Sequence, residues 1–373
     1  MTSERLGGSI EYKARDPKTV DSESYPRIDL VASCYSKATQ LTAITTHLNI
    51  QHLTGGKIED ADLDSEEKVR RIGIIDPDAE RTYTQSVSSF PFTSHCLDAE
   101  GTKEKYSEVG EAMPVTLGLL GTGLCRVSSV ADYVEGTGFS VHGRPNAISV
   151  VGISDYNGIT KIPDIMNTEG EPEEASYFRK LFGPSEFKDD ISLLNSPGQN
   201  IERIMKIAGI PASSIKVITM ARNCNATIIR EAQQIGAQVE QIKAGDLAWC
   251  LRAILSEPEN PILMMGRGGA PEGSIAAVAA RALNATGQLR VVIDNKRDIE
   301  MQDDTPVWTA DEFVPGAPEH SMTIFSAITA NTHFDMRAVQ KHAPYSHSYY
   351  VDTMVIDSKG FRIKTIVIDS EKQ

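Results

Sequence analysis

The chain has 373 residues and a net charge of −14, with ordinary charged and apolar fractions. Its length suggests two domains, each able to bury a core, and its acidity argues against nucleic acid or an anionic membrane as a main partner. Five scattered cysteines (Cys34, Cys96, Cys125, Cys224, Cys250) without a C-x-x-C argue against a disulfide frame or a zinc site and point to a reducing, cytoplasmic setting.

Residues 1–24 are polar and aperiodic and read as a flexible leader without a secretory apolar core. No apolar run approaches the ~18–20 residues of a membrane span. Arg27 to Leu48 carries apolar residues at helical spacing (Ile28, Val31, Cys34, Ala38, Leu41). Gly55 to Arg71 reads as a loop or short polar helix. Arg71 to Ile75 reads as a short strand ending at Asp76. Leu124 to Ala131 reads as a strand leading into Asp132. Ala147 to Ser154 and Gly158 to Pro163 read as a hairpin turning at Asp155-Tyr156-Asn157-Gly158. Asn167 to Ser176 is a solvated excursion, and Ser196-Pro197-Gly198 marks a domain boundary.

Beyond that boundary helices and strands alternate. Helices are expected at Gln199–Ala208, Asn225–Ile235 and Gly245–Leu255, with strands at Ile215–Met220, Gln238–Ile242 and Ile262–Met265. An alanine-rich helix over Ser274–Ala285, a strand over Met322–Thr329 and a hairpin of Tyr345–Ile356 with Phe361–Asp369 complete the chain. The pattern predicts an α/β (α+β layered sandwich) architecture, with an N-terminal α+β domain over 25–195 and a C-terminal α/β domain over 196–373.

Two stretches carry candidate chemistry. In the first, Gly266-Arg267-Gly268-Gly269-Ala270-Pro271-Glu272-Gly273, a strand ends in glycines and opens a helix with Pro and Glu. Glycines let backbone N–H groups approach a phosphate, and a helix N-terminus adds partial positive charge. The same residues also fit a tight turn with Glu272 as a helix-dipole partner. Arg267 suits either a phosphate contact or a salt bridge. The second stretch, Asp132-Tyr133-Val134-Glu135-Gly136-Thr137, runs a strand into two carboxylates. Crowded carboxylates suit Mg²⁺ or Mn²⁺, although Asp-x-x-Glu alone fits a solvated turn more readily. Asp76 and Glu100 follow apolar runs, and Glu104 lies one helical turn beyond Glu100; a turn and a surface acidic run explain them equally. The histidines show no metal spacing, and no Ser/His/Asp, dinucleotide-binding or P-loop pattern is present.

Glu135-Gly136-Thr137, Gly143-Arg144-Pro145-Asn146-Ala147 and Gly269-Ala270-Pro271-Glu272-Gly273, in that order, resemble the class II fructose-1,6-bisphosphatases. Some of these also act on sedoheptulose-1,7-bisphosphate. The resemblance is good from about Ser129 onward and patchy before it. It implies the lithium-sensitive, metal-dependent sugar-phosphatase fold, with hydrolysis of a sugar bisphosphate by a metal-activated water. It also implies Mg²⁺ or Mn²⁺ as cofactor, a role in carbohydrate metabolism and a homo-oligomer, dimer or tetramer. Carried over, the metal ligands would be Asp76, Glu100, Asp132, Glu135 and Glu272. Thr137 and Glu104 would be catalytic, and the substrate would meet Glu135, Gly136, Thr137, Tyr177, Arg222, Gly245, Asp246 and Gly269. There are departures. A Lys-Pro-Arg-His motif reads Met220-Ala221-Arg222-Asn223, and an Asp-Gly-Asp motif reads Ala244-Gly245-Asp246. Thr102 stands where the family has a second glutamate, and no lysine stands four residues before Asp76. Retained metal residues beside altered sugar residues leave two alternatives open, a phosphatase acting on another sugar or cyclitol phosphate and a non-catalytic phosphometabolite-binding protein.

Overall fold

A computed structural model describes residues 25–59, 63–99, 118–162, 164–166, 172–174, 177–292 and 306–369. Two long helices come first, α1 (Ile28–Thr54) and α2 (Ser65–Ser88). Strands β1 (Thr93–Ala99), β2 (Gly118–Leu120) and β3 (Arg126–Glu135) follow, then the one-turn helix α3 (Thr137–Ser140) and β4 (Ile148–Asp155). A short pair, β5 (Asp164–Met166) and β6 (Pro172–Glu174), precedes β7 (Tyr177–Gly183). The alternating region comprises α4 (Pro197–Ala208), β8 (Lys216–Met220), α5 (Ala226–Ile235), β9 (Gln238–Ile242), α6 (Asp246–Ile254), β10 (Ile262–Gly269), α7 (Ala270–Leu283) and β11 (Thr286–Val291). The last elements are β12 (Val307–Thr309), α8 (Ala310–Phe313), β13 (Met322–Ala327), β14 (Gln340–Lys341), β15 (Ser348–Asp357) and β16 (Gly360–Asp369).

The strands form two large mixed sheets, which gives the layered α/β sandwich that the alternation predicts. The eight-stranded sheet runs β14-β15-β13-β4-β3-β1-β2, with β16 paired to β15. The six-stranded sheet runs β12-β11-β7-β10-β8-β9. Helices α1 and α2 cover one face of the first sheet through a core that includes Tyr35, Ile44, Tyr83 and Val134. Helices α4 and α5 cover the far face of the second sheet through Ile201, Ile204, Ile228 and Ala232. Between the sheets lie α6 and α7, in a shared core with Val150, Phe178, Leu251, Ile275 and Val278. A helix with a sheet on each side must be apolar all round and slim, which is why α7 is rich in buried alanine. Both sheets draw strands from each side of residue 195: β7 lies in the second sheet, and β13 to β16 return to the first.

Two local expectations are corrected. Residues 71–76 are not a strand but the middle of α2, which is capped by the Asp64 carboxylate accepting from Glu67 N at 2.8 Å. Arg71, Ile75, Ala79, Tyr83 and Val87 recur every four residues and form the buried face of that helix. A five-residue apolar run cannot distinguish the two periods, and the longer run does. The turn at Asp155–Gly158 forms, with Gly158 N donating to Asp155 O at 2.7 Å and Asn157 at φ 61°. The chain does not return as a hairpin there, because β4 is already paired on both edges, by β3 and β13.

Gly152 on β4 shows how close the sheet and α7 approach. A Cβ at this position would stand 3.1 Å from Val278 Cγ2 and 3.3 Å from the Ile275 Cα. Gly152→Val is expected to destabilise the protein by about 1–3 kcal/mol. A lowered urea midpoint with an unchanged slope would show it; an unchanged midpoint would contradict this packing.

Candidate active site

The site begins with an irregularity in β3. Asp132 pairs with Val150 and Glu135 with Ile148, so β3 spends one residue more than β4 over this interval. Side chains three apart on a regular strand face opposite ways; the bulge turns Asp132 and Glu135 to the same side. Both are buried. Asp132 Oδ1 accepts from Val134 N at 3.1 Å. Glu135 Oε2 accepts from Gly136 N at 3.1 Å, and its Oε1 accepts from Leu247 N at 3.2 Å. Glu135 therefore caps the N-terminus of α6 from the other sheet, where a carboxylate opposes the helix dipole. Gly136 has φ 84°, and a Cβ there would stand 2.8 Å from the Phe139 ring. The next residue, Thr137, donates its hydroxyl hydrogen to Val134 O at 2.9 Å.

The second half of the site comes from the glycine-rich end of β10. Gly269 is the N-cap of α7, and Pro271 and Glu272 lie in that helix's first turn. The Glu272 carboxylate folds over Gly269 so closely that a Cβ at 269 would overlap it. Ligand atoms of Asp132, Glu135 and Glu272 lie within 4.8 Å of one another. The end of β3 and the start of α7, far apart in sequence, are thus joined into one group.

Beside them is a buried ion pair. Lys180 Nζ, on β7, lies 2.7 Å from Asp246 Oδ2, at the first turn of α6. Lys180 is 0% exposed. Phe178, Lys180 and Phe182 are all fully buried and share one side of β7, so the lysine occupies a core-facing position. Gly268 and Gly273 leave room for its stem: a Cβ at 268 would stand 2.7 Å from Nζ, and one at 273 would stand 3.2 Å from Cε. Burial alone would lower the lysine's pKa, but Asp246 and Glu272 hold it charged and raise it.

One ammonium does not balance Asp132, Glu135, Asp246 and Glu272. Burial, then the charges of Asp132, Glu272 and Asp246, push Glu135 well above the usual carboxylate range. Glu272 is pushed up to about 8, by burial first and then by Asp246 and Asp132. Its Oε2 is shielded and accepts no hydrogen bond among the described residues. Hard oxygen donors that repel one another around an unsatisfied buried atom fit a divalent cation such as Mg²⁺ or Mn²⁺.

Other expected residues lie around this group. Gly245, at φ 77°, is the N-cap of α6 and packs on Phe139. Tyr177 pairs with Gly269 across β7 and β10, and Arg222 Cζ stands 5.7 Å from its ring centroid. Asp76 is buried on α2, which packs on β3, but it is not part of the Asp132–Glu135–Glu272 group. Glu100 and Glu104 lie outside the described residues. Lys180 was not anticipated; its signal is a charged residue alternating with Phe178 and Phe182 in a strand pattern.

The sequence model of the family described as bacterial fructose-1,6-bisphosphatase, glpX-encoded, matches residues 75–367. The chain belongs to this family. It is 34% identical over 191 residues to the class 2 fructose-1,6-bisphosphatase of Haemophilus influenzae, 51% of this chain and 54% of that one. It is 26% identical over 309 residues to a class 2 fructose-1,6-bisphosphatase/sedoheptulose-1,7-bisphosphatase of a Synechococcus species, 76% of this chain and 83% of that one. The enzyme of the same name from Thermosynechococcus vestitus is 30% identical over 171 residues, 46% of each chain. The chain thus spans about half of two of these relatives and most of the third. The family is metal-dependent, and in this chain Asp132, Glu135 and Glu272 form an acidic group with a spacing that a metal ion can bridge.

Two outcomes are expected. Lys180→Met leaves Asp246 buried without its partner and should destabilise by about 3–5 kcal/mol. Lys180→Met combined with Asp246→Leu should recover much of that loss in chemical denaturation. Glu272, with a raised folded-state pKa, stabilises the metal-free protein below the unfolded carboxylate range, and that stability is lost as pH rises towards about 8. In chelator, the melting temperature should therefore fall between about pH 5 and pH 8. Mg²⁺ should remove the decline, and Glu272→Gln should flatten it.

Proposed function

We propose that this protein hydrolyses a phosphate ester of a sugar bisphosphate, of the fructose-1,6-bisphosphate or sedoheptulose-1,7-bisphosphate type. The observation that carries this reading is the convergence of Asp132, Glu135 and Glu272 at the start of α7, in a chain of the bisphosphatase family. Asp132, Glu135 and Glu272 would hold Mg²⁺ or Mn²⁺, with Asp76 and Glu100 as further ligands. A divalent ion, when bound, neutralises phosphate oxygens and acidifies a coordinated water.

The chain's own residues do the rest. Thr137 directs its proton to Val134 O, which leaves its oxygen to accept a hydrogen bond and orient the attacking water. Glu104 would assist as the proton acceptor. The Gly268 and Gly269 backbone and the N-terminus of α7 offer partial positive charge to the phosphate. Tyr177, Arg222, Gly245, Gly136 and Asp246 would position the remainder of the substrate, with Lys180 holding Asp246 in place.

A second reading keeps the chemistry and changes the sugar. Met220 is buried in the apolar core rather than presented to a ligand, and Ala244 supplies no carboxylate. These two residues weigh against the fructose or sedoheptulose bisphosphate and for a related sugar or cyclitol phosphate in specialised metabolism, while the retained Asp132, Glu135, Thr137 and Glu272 weigh against a non-catalytic binding role. The lithium-sensitive phosphatase fold, a homo-oligomer, no nucleic-acid partner and a cytoplasmic setting belong to the same proposal. All five cysteines are free thiols, and among the described residues no helix is long and apolar enough to cross a membrane.

The test is phosphate release from a panel of sugar mono- and bisphosphates with Mg²⁺ or Mn²⁺. Asp132→Ala and Glu272→Ala should each lower kcat by about 10²-fold or more. Full activity in both would refute the metal assignment.

A further inference from the structure

The terminal hairpin leaves one edge of the larger sheet open. β16 pairs with β15 over its whole length without a register shift, and among the described residues no other strand pairs with it. The turn between them closes at Asp357–Gly360. A closing pair separated by two residues exchanges its backbone hydrogen bonds, so Gly360, Arg362, Lys364, Ile366 and Ile368 bond inward to β15. Phe361, Ile363, Thr365 and Val367 therefore direct their N–H and C=O groups away from the sheet.

Edge strands are commonly shortened, bulged or charged, which prevents accidental pairing. β16 is long and regular and contains no proline. Its outward-bonding residues are apolar: Phe361, Ile363 and Val367 are 56%, 40% and 48% exposed. Side chains alternate along a strand, so these three share one face with Thr365. Thr365 is fixed in place, because its hydroxyl donates to Asp352 Oδ1 at 2.6 Å and accepts from Arg337 Nη2 at 2.6 Å. Arg362 is turned to Asp357 at the hairpin's own end. The chain carries a net charge of −14, which opposes self-association, but Asp369 is the only carboxylate within 360–369.

The strand is also complementary to itself. In an antiparallel pairing about a two-fold axis at Thr365, Ile363 meets Val367 twice, Thr365 meets Thr365, and Phe361 meets Asp369 at each end. These are all outward-bonding positions, so opposed residues exchange hydrogen bonds. Lys364 falls opposite Ile366. Moving the axis to Lys364 sets two lysines against each other, and moving it to Ile366 sets Ile363 against Asp369.

We propose that the outer edge of β16 is an interface for a second copy of this chain. The copy adds its own β16 antiparallel about Thr365 and joins the two larger sheets into one. The surface stands apart from the carboxylate group, with β15, β13 and β4 between β16 and β3. It does not depend on the phosphatase reading, and it gives the proposed homo-oligomer a location.

The experiment measures mass by light scattering and sedimentation over a dilution series, with melting curves to confirm that each variant folds. Wild type should be a dimer or a larger even multiple. Ile363→Asp and Val367→Lys each set a charge against an apolar partner at two places and should weaken assembly by about 10-fold or more. The double variant, Ile363→Asp with Val367→Lys, sets opposite charges across both pairs and should assemble more tightly than either single variant. Residue-resolved amide exchange should show Ile363, Thr365 and Val367 protected in the assembled protein and unprotected in the smaller species, while Lys364 and Ile366 stay protected in both. A monomeric wild type, an assembly unmoved by the single variants, or equal loss in single and double variants would overturn the proposal. Outward amides protected equally in both species would also overturn it, because another segment of the same chain then covers the edge.

Discussion

Compensation of buried negative charge governs the centre of this protein. Asp132, Glu135, Asp246 and Glu272 are drawn together with Lys180 as their neighbouring ammonium. Much of the local design follows. Glycines at 268, 269 and 273 make room for a lysine stem and a folded-back carboxylate. Glu135 spends its two oxygens on the Gly136 and Leu247 amides. The remaining imbalance can be met by protons or by a divalent cation, and the proposed phosphatase chemistry would use the second.

The middle helix layer makes that meeting possible. Helix α7 touches both sheets, and its small side chains let β4 on one side and β7 on the other approach closely. The carboxylates of β3 and those opening α6 and α7 would otherwise belong to separate sheets. The return of β13 to β16 to the first sheet closes the arrangement, so a chain that reads as two successive halves folds with each sheet sharing strands from both.

Legibility followed the range of the interactions involved. The alternating region from α4 to α7 was readable because its helices and strands each carry their own apolar period over a short run of residues. The segment at 71–76 was misread because its local apolar run is too short, and the helix shows itself only through the four-residue spacing that continues to Val87. The grouping of Asp132, Glu135 and Glu272 was anticipated from motifs, but the bulge that aims the first two together was not. Lys180 was overlooked because no element was read over residues 177–183, where β7 lies, and its partner is 66 residues away.

Local chemistry therefore settled the α/β class, most helix and strand positions in the second half, and the glycine-rich strand-to-helix turn that opens α7. Those features depend on residues a few positions apart. The contacts that turn candidates into a site span far greater separations: Glu135 to Leu247, Lys180 to Asp246, and Arg222 and Arg267 to one tyrosine ring. No period or cap encodes such contacts. They exist because two sheets pack on a shared helix layer, and that packing places a buried lysine where the chain's own acidity needs it.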